Sequence, residues 1–198
     1  MPQPKPRSTA KQRIIDAAFD VFFTHGYEGA ALSDIANAVG IRKASLYTHF
    51  ASKDAIFAAL LSDALAAECA FVQRCFHHAE DTSDLGIAYC HAFEARYHEA
   101  VTLRFLIRMA YNSPVHSIGV ITTTFNTYIQ TLTEHIQGAL LPYQLDAEQH
   151  ALYTDAYLGV IDSLSVELLY AERLYQRRLK AMLMLYHNAI AQLPKPAA

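Results

Sequence analysis

Between Arg42 and Lys53 the chain sets hydrogen-bond donors over an apolar footing. Arg42, Lys43, Ser45, Tyr47, Thr48, His49 and Lys53 can all donate, whereas Leu46 and Phe50 recur four residues apart. Lysine and arginine side chains read guanine O6 and N7, and a threonine methyl suits thymine. Lys43, Thr48 and Arg42 are therefore candidates for contact with base edges. Ala44 and Ser45 are small enough to allow close approach to a nucleic-acid backbone, and Ser45 can donate to a phosphate. Lys53 falls in the first turn of a further helix, where backbone N–H groups also point toward an anion.

Two short helices around a tight turn would position these groups. Leu32, Ile35, Ala36 and Val39 fall at i, i+3, i+4 and i+7, which makes one apolar face. Gly40 stops that helix, since glycine takes a left-handed position at no steric cost, and Ile41 can plug the angle that follows. A second helix is expected over 43–49, with Leu46 and Phe50 inward. The pattern is that of a helix-turn-helix, whose second helix enters the DNA major groove.

From Ile14 to Leu61 the chain resembles the DNA-binding domain of the TetR family of bacterial transcriptional regulators. The resemblance rests on Ala17-Ala18, Phe22-Phe23, His25-Gly26-Tyr27, Asp34-Ile35-Ala36, Gly40-Ile41, Lys43-Ala44-Ser45-Leu46-Tyr47-Thr48-His49-Phe50 and Ser52-Lys53-Asp54. It covers about the first third of the chain and implies that Tyr47, His49 and Lys53 contact phosphates. Two positions depart from the common pattern: Ala31 and Arg42 stand where hydroxyl residues often cap the two helices. A missing cap hydroxyl costs about 1 kcal/mol of helix stability.

Composition agrees with an all-α protein. Of 198 residues, 53% are hydrophobic and 18% charged, and glycine and proline number only seven each. The net charge of −3 divides unevenly: residues 1–60 hold seven Lys/Arg against five acids, and the remainder nine against fourteen. Positive charge thus sits where phosphates would be, with an acidic body behind it. Cys69, Cys75 and Cys90 lack metal-ligand spacing and read as buried reduced thiols, with a redox sensor as the alternative. The polar, proline-rich start is no signal peptide, and no apolar run is expected to span a membrane, so a cytoplasmic chain without a membrane partner is expected.

In order, residues 1–8 form an arm carrying Lys5 and Arg7. Helix one should run from Thr9 to His25, capped by Ser8 or Thr9 and stopped by Gly26, with Ile14, Ala17, Ala18, Val21 and Phe22 as its stripe. The pair follows at 32–39 and 43–49, and Ser52 caps a helix over 53–77. Asp81-Thr82-Ser83-Asp84 is a polar break before helices over 84–100 and 101–112, the latter ended by Asn112-Ser113-Pro114. A helix over 115–139 contains the Thr122-Thr123-Thr124 run. Asp146 and Gln149 make a capping-box variant for a helix to Tyr170, and the last helix runs from Leu174 to Gln192. The expected architecture is a three-helix helix-turn-helix head over 1–52 and a larger helical bundle over 53–198, about nine helices in all.

The last two long helices are apolar on more than one face, through Tyr157, Val160, Ile161, Leu164, Leu168 and Leu169, then Leu179, Met182, Leu183, Leu185, Tyr186 and Ile190. Such helices are buried or meet another subunit. The resemblance implies a homodimer with two recognition helices on a palindromic double-stranded DNA operator. It also implies an unknown small-molecule effector in a cavity bounded by the middle helices. Tyr89, Phe93, Tyr97, Phe105, Tyr111, Phe125 and Tyr128 are its candidate lining, with Arg104 or Arg108 supplying polarity. No cofactor is expected. Neither His77-His78 nor His91 with His98 makes a compact metal set, and no glycine-rich phosphate loop or nucleophile elbow suggests an enzyme. The alternative to a ligand-responsive repressor is an architectural or cell-division DNA-binding factor on the same fold.

Overall fold

Helix-forming residues dominate wherever an apolar stripe can be buried, and glycines, prolines and capping side chains mark several of the breaks between helices. The computed structural model describes residues 8–77 and 84–194. Among these residues there are nine α-helices and no strand. They are α1 (Thr9–Gly29), α2 (Leu32–Val39), α3 (Lys43–Tyr47), α4 (Lys53–His77), α5 (Ile87–Glu99), α6 (Val101–Tyr111), α7 (Ile118–Leu140), α8 (Ala147–Tyr170) and α9 (Tyr175–Ile190). The arm with Lys5 and Arg7 and the break at Asp81-Thr82-Ser83 lie outside the described residues.

Local chemistry accounts for most boundaries. The Ser8 hydroxyl accepts from the Lys11 amide at 3.4 Å. Gly26 takes φ 69° and kinks α1, so a last turn through Tyr27 carries the helix past the expected stop. Gly40 takes φ 75° and closes α2. Ser52 Oγ accepts from the Ala55 amide, and Asp84 Oδ1 from the Ala88 amide. Asp146 and Gln149 form the reciprocal capping box at the start of α8. Neither Ala31 nor Arg42 supplies a side-chain cap.

Helix α4 lies at the centre, packed against α1, α5, α6 and α7. Its length and composition would suffice to cross a membrane, contrary to the expectation from the sequence. Here Ile56, Phe57, Leu60, Leu61, Ala64 and Val72 are buried among the other helices instead. Its carboxylate Glu68 is 0% exposed. Arg96 of α5 donates to it twice, at 3.0 and 2.7 Å, and Thr102 of α6 donates at 2.5 Å. Three helices are thereby tied to one charge that could not otherwise be buried.

The entry to α5 is held from the far side of the bundle. Tyr157 of α8 donates to the Gly86 carbonyl and Tyr186 of α9 to the Leu85 carbonyl, each at 3.1 Å. A Cβ on Gly86 would stand 2.6–2.8 Å from the Tyr157 ring, so both the φ of 84° and the close approach require glycine.

Arg96→Met should cost about 3–5 kcal/mol, because the Glu68 carboxyl group would stay buried without its ionic partner. Urea unfolding measures this. A loss below about 1 kcal/mol, the value of an exposed pair, would refute the role given to Glu68.

Candidate nucleic-acid interface

Leu46 and Phe50 anchor the recognition segment by being buried, and the remaining residues of α3 face outward. Arg42, Lys43, Ala44, Ser45, Tyr47 and Thr48 are exposed, and His49 is half-buried. Tyr47 presents a large amphipathic ring, 48% exposed. The α-helix ends at Tyr47, two residues before the expected His49. Thr48 and His49 form a tighter turn in which their amides donate to the Ser45 and Leu46 carbonyls at 3.2 and 3.0 Å. The Thr48 hydroxyl also donates to the Ser45 carbonyl, at 2.7 Å, so its methyl is the part left for a base.

Lys53 has a second task within the head. Its Nζ donates to the Glu28 carbonyl at 3.3 Å and lies 4.5 Å from the Tyr27 ring centroid. An ammonium has three donors, so donation to Glu28 leaves others for a phosphate. Beside it the Tyr27 hydroxyl donates to Asp54, and burial together with that carboxylate pushes the phenol up to about 12. Lys11 was legible in the sequence only as positive charge. The fold places its ammonium 5.0 Å from the Phe50 ring, so it adds a cation beside the recognition segment. Spacing along α1 gave no signal of this, because the contact crosses between elements far apart in sequence.

The nine candidate effector residues are not gathered around one cavity. Tyr89, Phe93, Phe105 and Tyr128 are packed into the core, and the Tyr89 and Tyr128 hydroxyls bond each other at 2.5 Å. Phe125 is partly buried with its ring against Tyr128. Phe105 meets Phe19 of α1 and Phe57 of α4 edge-on, with centroids 5.3 and 5.8 Å away. Arg104 donates to the Tyr97 and His98 carbonyls at the end of α5, at 2.9 and 2.6 Å. Tyr97, Arg108 and Tyr111 do share a cleft of about 310 Å3, together with Phe23, Asn112, Leu169 and Tyr170. A second cavity of about 280 Å3 lies between the ends of α4 and α7, next to Cys75, His77, Asp84, Glu134 and His135.

Cys90 is buried as expected, whereas Cys69 and Cys75 are only half-buried. Burial raises the Cys69 and Cys75 pKa values and carries Cys90 up to about 12, which suppresses the thiolate that oxidation requires. No group of three or more metal-ligating side chains is found among the described residues.

Residues 14–60 match the profile of the bacterial regulatory proteins, tetR family. Over 47 residues the chain is 53% identical to IcaR, the HTH-type negative transcriptional regulator of the biofilm operon icaADBC in Staphylococcus aureus (strain Newman). That similarity takes in 24% of this chain and 25% of IcaR. At 15% identity, a TetR-family transcriptional regulator from Cytophaga hutchinsonii superposes with a TM-score of 0.70, over 96% of this chain and 98% of that one. FadR from Bacillus subtilis in complex with stearoyl-CoA superposes with a TM-score of 0.67 at 16% identity, over 92% and 98% of the two chains. Residues 14–60 thus match the tetR family of bacterial regulatory proteins, and the described residues share the all-α fold of these solved regulators.

Proposed function

We propose that the protein is a transcriptional repressor that binds a palindromic operator as a homodimer and is released by a small molecule. The observation that carries this reading is the exposed donor face of α3 standing on the buried Leu46 and Phe50. In this reading Lys43, Arg42 and the Thr48 methyl read base edges, whereas Tyr47, His49 and Lys53 hold phosphates and Ser45 and Ala44 permit close approach. The IcaR similarity supports repression, and the stearoyl-CoA complex of Bacillus subtilis FadR supports a small-molecule effector. Ligand and operator would oppose each other reciprocally, since coupling between two sites is one free energy.

Dimerisation is assigned to the outer faces of α8 and α9. Val166, Met184 and Leu185 are exposed there, large apolar groups with no cover in the single chain. Leu168 and Leu183, which the sequence marks as equally apolar, are only 4% and 5% exposed and belong to the chain's own core. A charge at Leu168 or Leu183 would therefore unfold the chain rather than separate two subunits.

Selection of binding sites from random DNA tests the first part. Tyr47→Ala should weaken all sequences about equally, and Lys53→Ala, which removes a cation from a phosphate, should in addition flatten the log–log salt dependence by about 0.9. Thr48→Ala and Lys43→Ala should relax base preference by about 1–3 kcal/mol at one position each. Unchanged preference in both of these variants would refute the assignment of base readers.

For assembly, Val166→Glu combined with Leu185→Glu should yield folded monomers, because both positions are exposed in the single chain. Sedimentation of wild type and variant decides it. Identical mass for the two would remove the α8–α9 interface.

A further inference from the structure

We propose that the cleft between α1 and α6 binds a small aromatic monocarboxylate, with Arg108 as its anchor. This proposal rests on the effector reading above and assigns that effector a site and a chemical class. The cleft measures about 310 Å3, at the small end of ligand pockets and enough for one or two fused rings. Its walls are Phe23, Tyr97, Tyr111 and Tyr170, with the Asn112 amide and the Arg108 guanidinium as polar groups.

Arg108 is the group that points to a ligand. Three arginines among the described residues are half-buried on α5 and α6: Arg96, Arg104 and Arg108. Arg96 is spent on Glu68, and Arg104 on two carbonyls at the end of α5. Arg108 lies 5.2 Å from the Phe23 ring centroid, and its guanidinium makes no hydrogen bond among the described residues. A planar guanidinium with its N–H edge unspent matches a carboxylate in bidentate geometry. The aromatic walls offer ring faces and edges to an aromatic body.

A single guanidinium in the lining matches a single carboxylate. Arg108 is the charged group in the lining, and the neighbouring Arg104 is turned to the carbonyls at the end of α5. Near Tyr97, Glu172 is paired with His98 at 3.1 Å. A second negative charge on the ligand would find no second cation in this lining. Burial raises the Tyr97 and Tyr111 pKa values, so both remain neutral donors at physiological pH.

The site's position supplies a switch. Phe23 belongs to α1, the same helix whose Phe19 packs on Phe105 of α6. A ring inserted between Phe23 and Tyr111 would pry α1 from α6, and the recognition segment moves with α1.

The probe is 2-naphthoate, titrated calorimetrically into the full chain without DNA. Saturable binding is expected, weaker by about 10- to 100-fold for neutral 2-naphthamide and for the Arg108→Gln variant. Tyr111→Ala should also weaken it, and Arg108→Lys, which keeps the charge but loses the fork, should fall between wild type and Arg108→Gln. Acetate should not bind detectably. Equal affinity for acid and amide, binding unaffected by Arg108→Gln in a folded variant, or no binding at millimolar concentration would each overturn the proposal. With operator obtained by selection, 2-naphthoate should reduce DNA affinity of wild type and leave Arg108→Gln unchanged. Because the calorimetry contains no DNA, failure of operator binding would refute the repressor reading alone, and failure of naphthoate binding would refute the aromatic-acid site alone.

Discussion

Helix α4 is too apolar to stand in water and carries one carboxylate that cannot be left alone. Every neighbour it has is explained by one of those two facts. Its apolar residues demand cover on several sides, which α1, α6 and α7 provide. Glu68 demands donors, which Arg96 and Thr102 provide from α5 and α6. A buried ion pair adds little net stability over a well-packed apolar alternative, but breaking it is costly. The consequence is selectivity of packing: helices α4, α5 and α6 have one register in which Glu68 is satisfied.

The same helix joins α1, α2 and α3 to the rest. Phe57 near its start meets Phe22 and Tyr27 of α1 and Phe105 of α6, with centroids 4.9 to 5.8 Å apart. Aromatic edges and faces packed in this way resist small continuous adjustments, so α1 and α6 move as packed blocks or hardly at all. Farther into the body, Tyr89, Tyr128, Tyr157 and Tyr186 fill the space among the helices and spend their hydroxyls on one another or on backbone carbonyls.

What the sequence determined by itself was local. Gly40 and its left-handed turn, the Ser52 and Asp146 caps, the bounds of α2, α4 and α8 and the alternation of donors over Leu46 and Phe50 all depend on residues within a few positions of each other. Helical periodicity and capping chemistry act at that range, so they can be read without a fold. The end of α3 at Tyr47 was already less legible, since Thr48 and His49 could sit in either a helix or a turn.

Tertiary structure decided which apolar and charged groups meet. Leu168 and Leu185 look alike in sequence, yet one is core and the other surface, because the pairing of α8 with α9 and α5 sets which face is covered. Arg96, Arg104 and Arg108 are spaced along two adjacent helices with no local sign of their fates. Glu68 is 28 residues from Arg96, and Phe23 is far from Arg108 in the chain, so only packing reveals that one guanidinium is spent and the other is not. Periodicity fixes which way a side chain faces along its own helix; what it faces is set by contacts between helices distant in sequence.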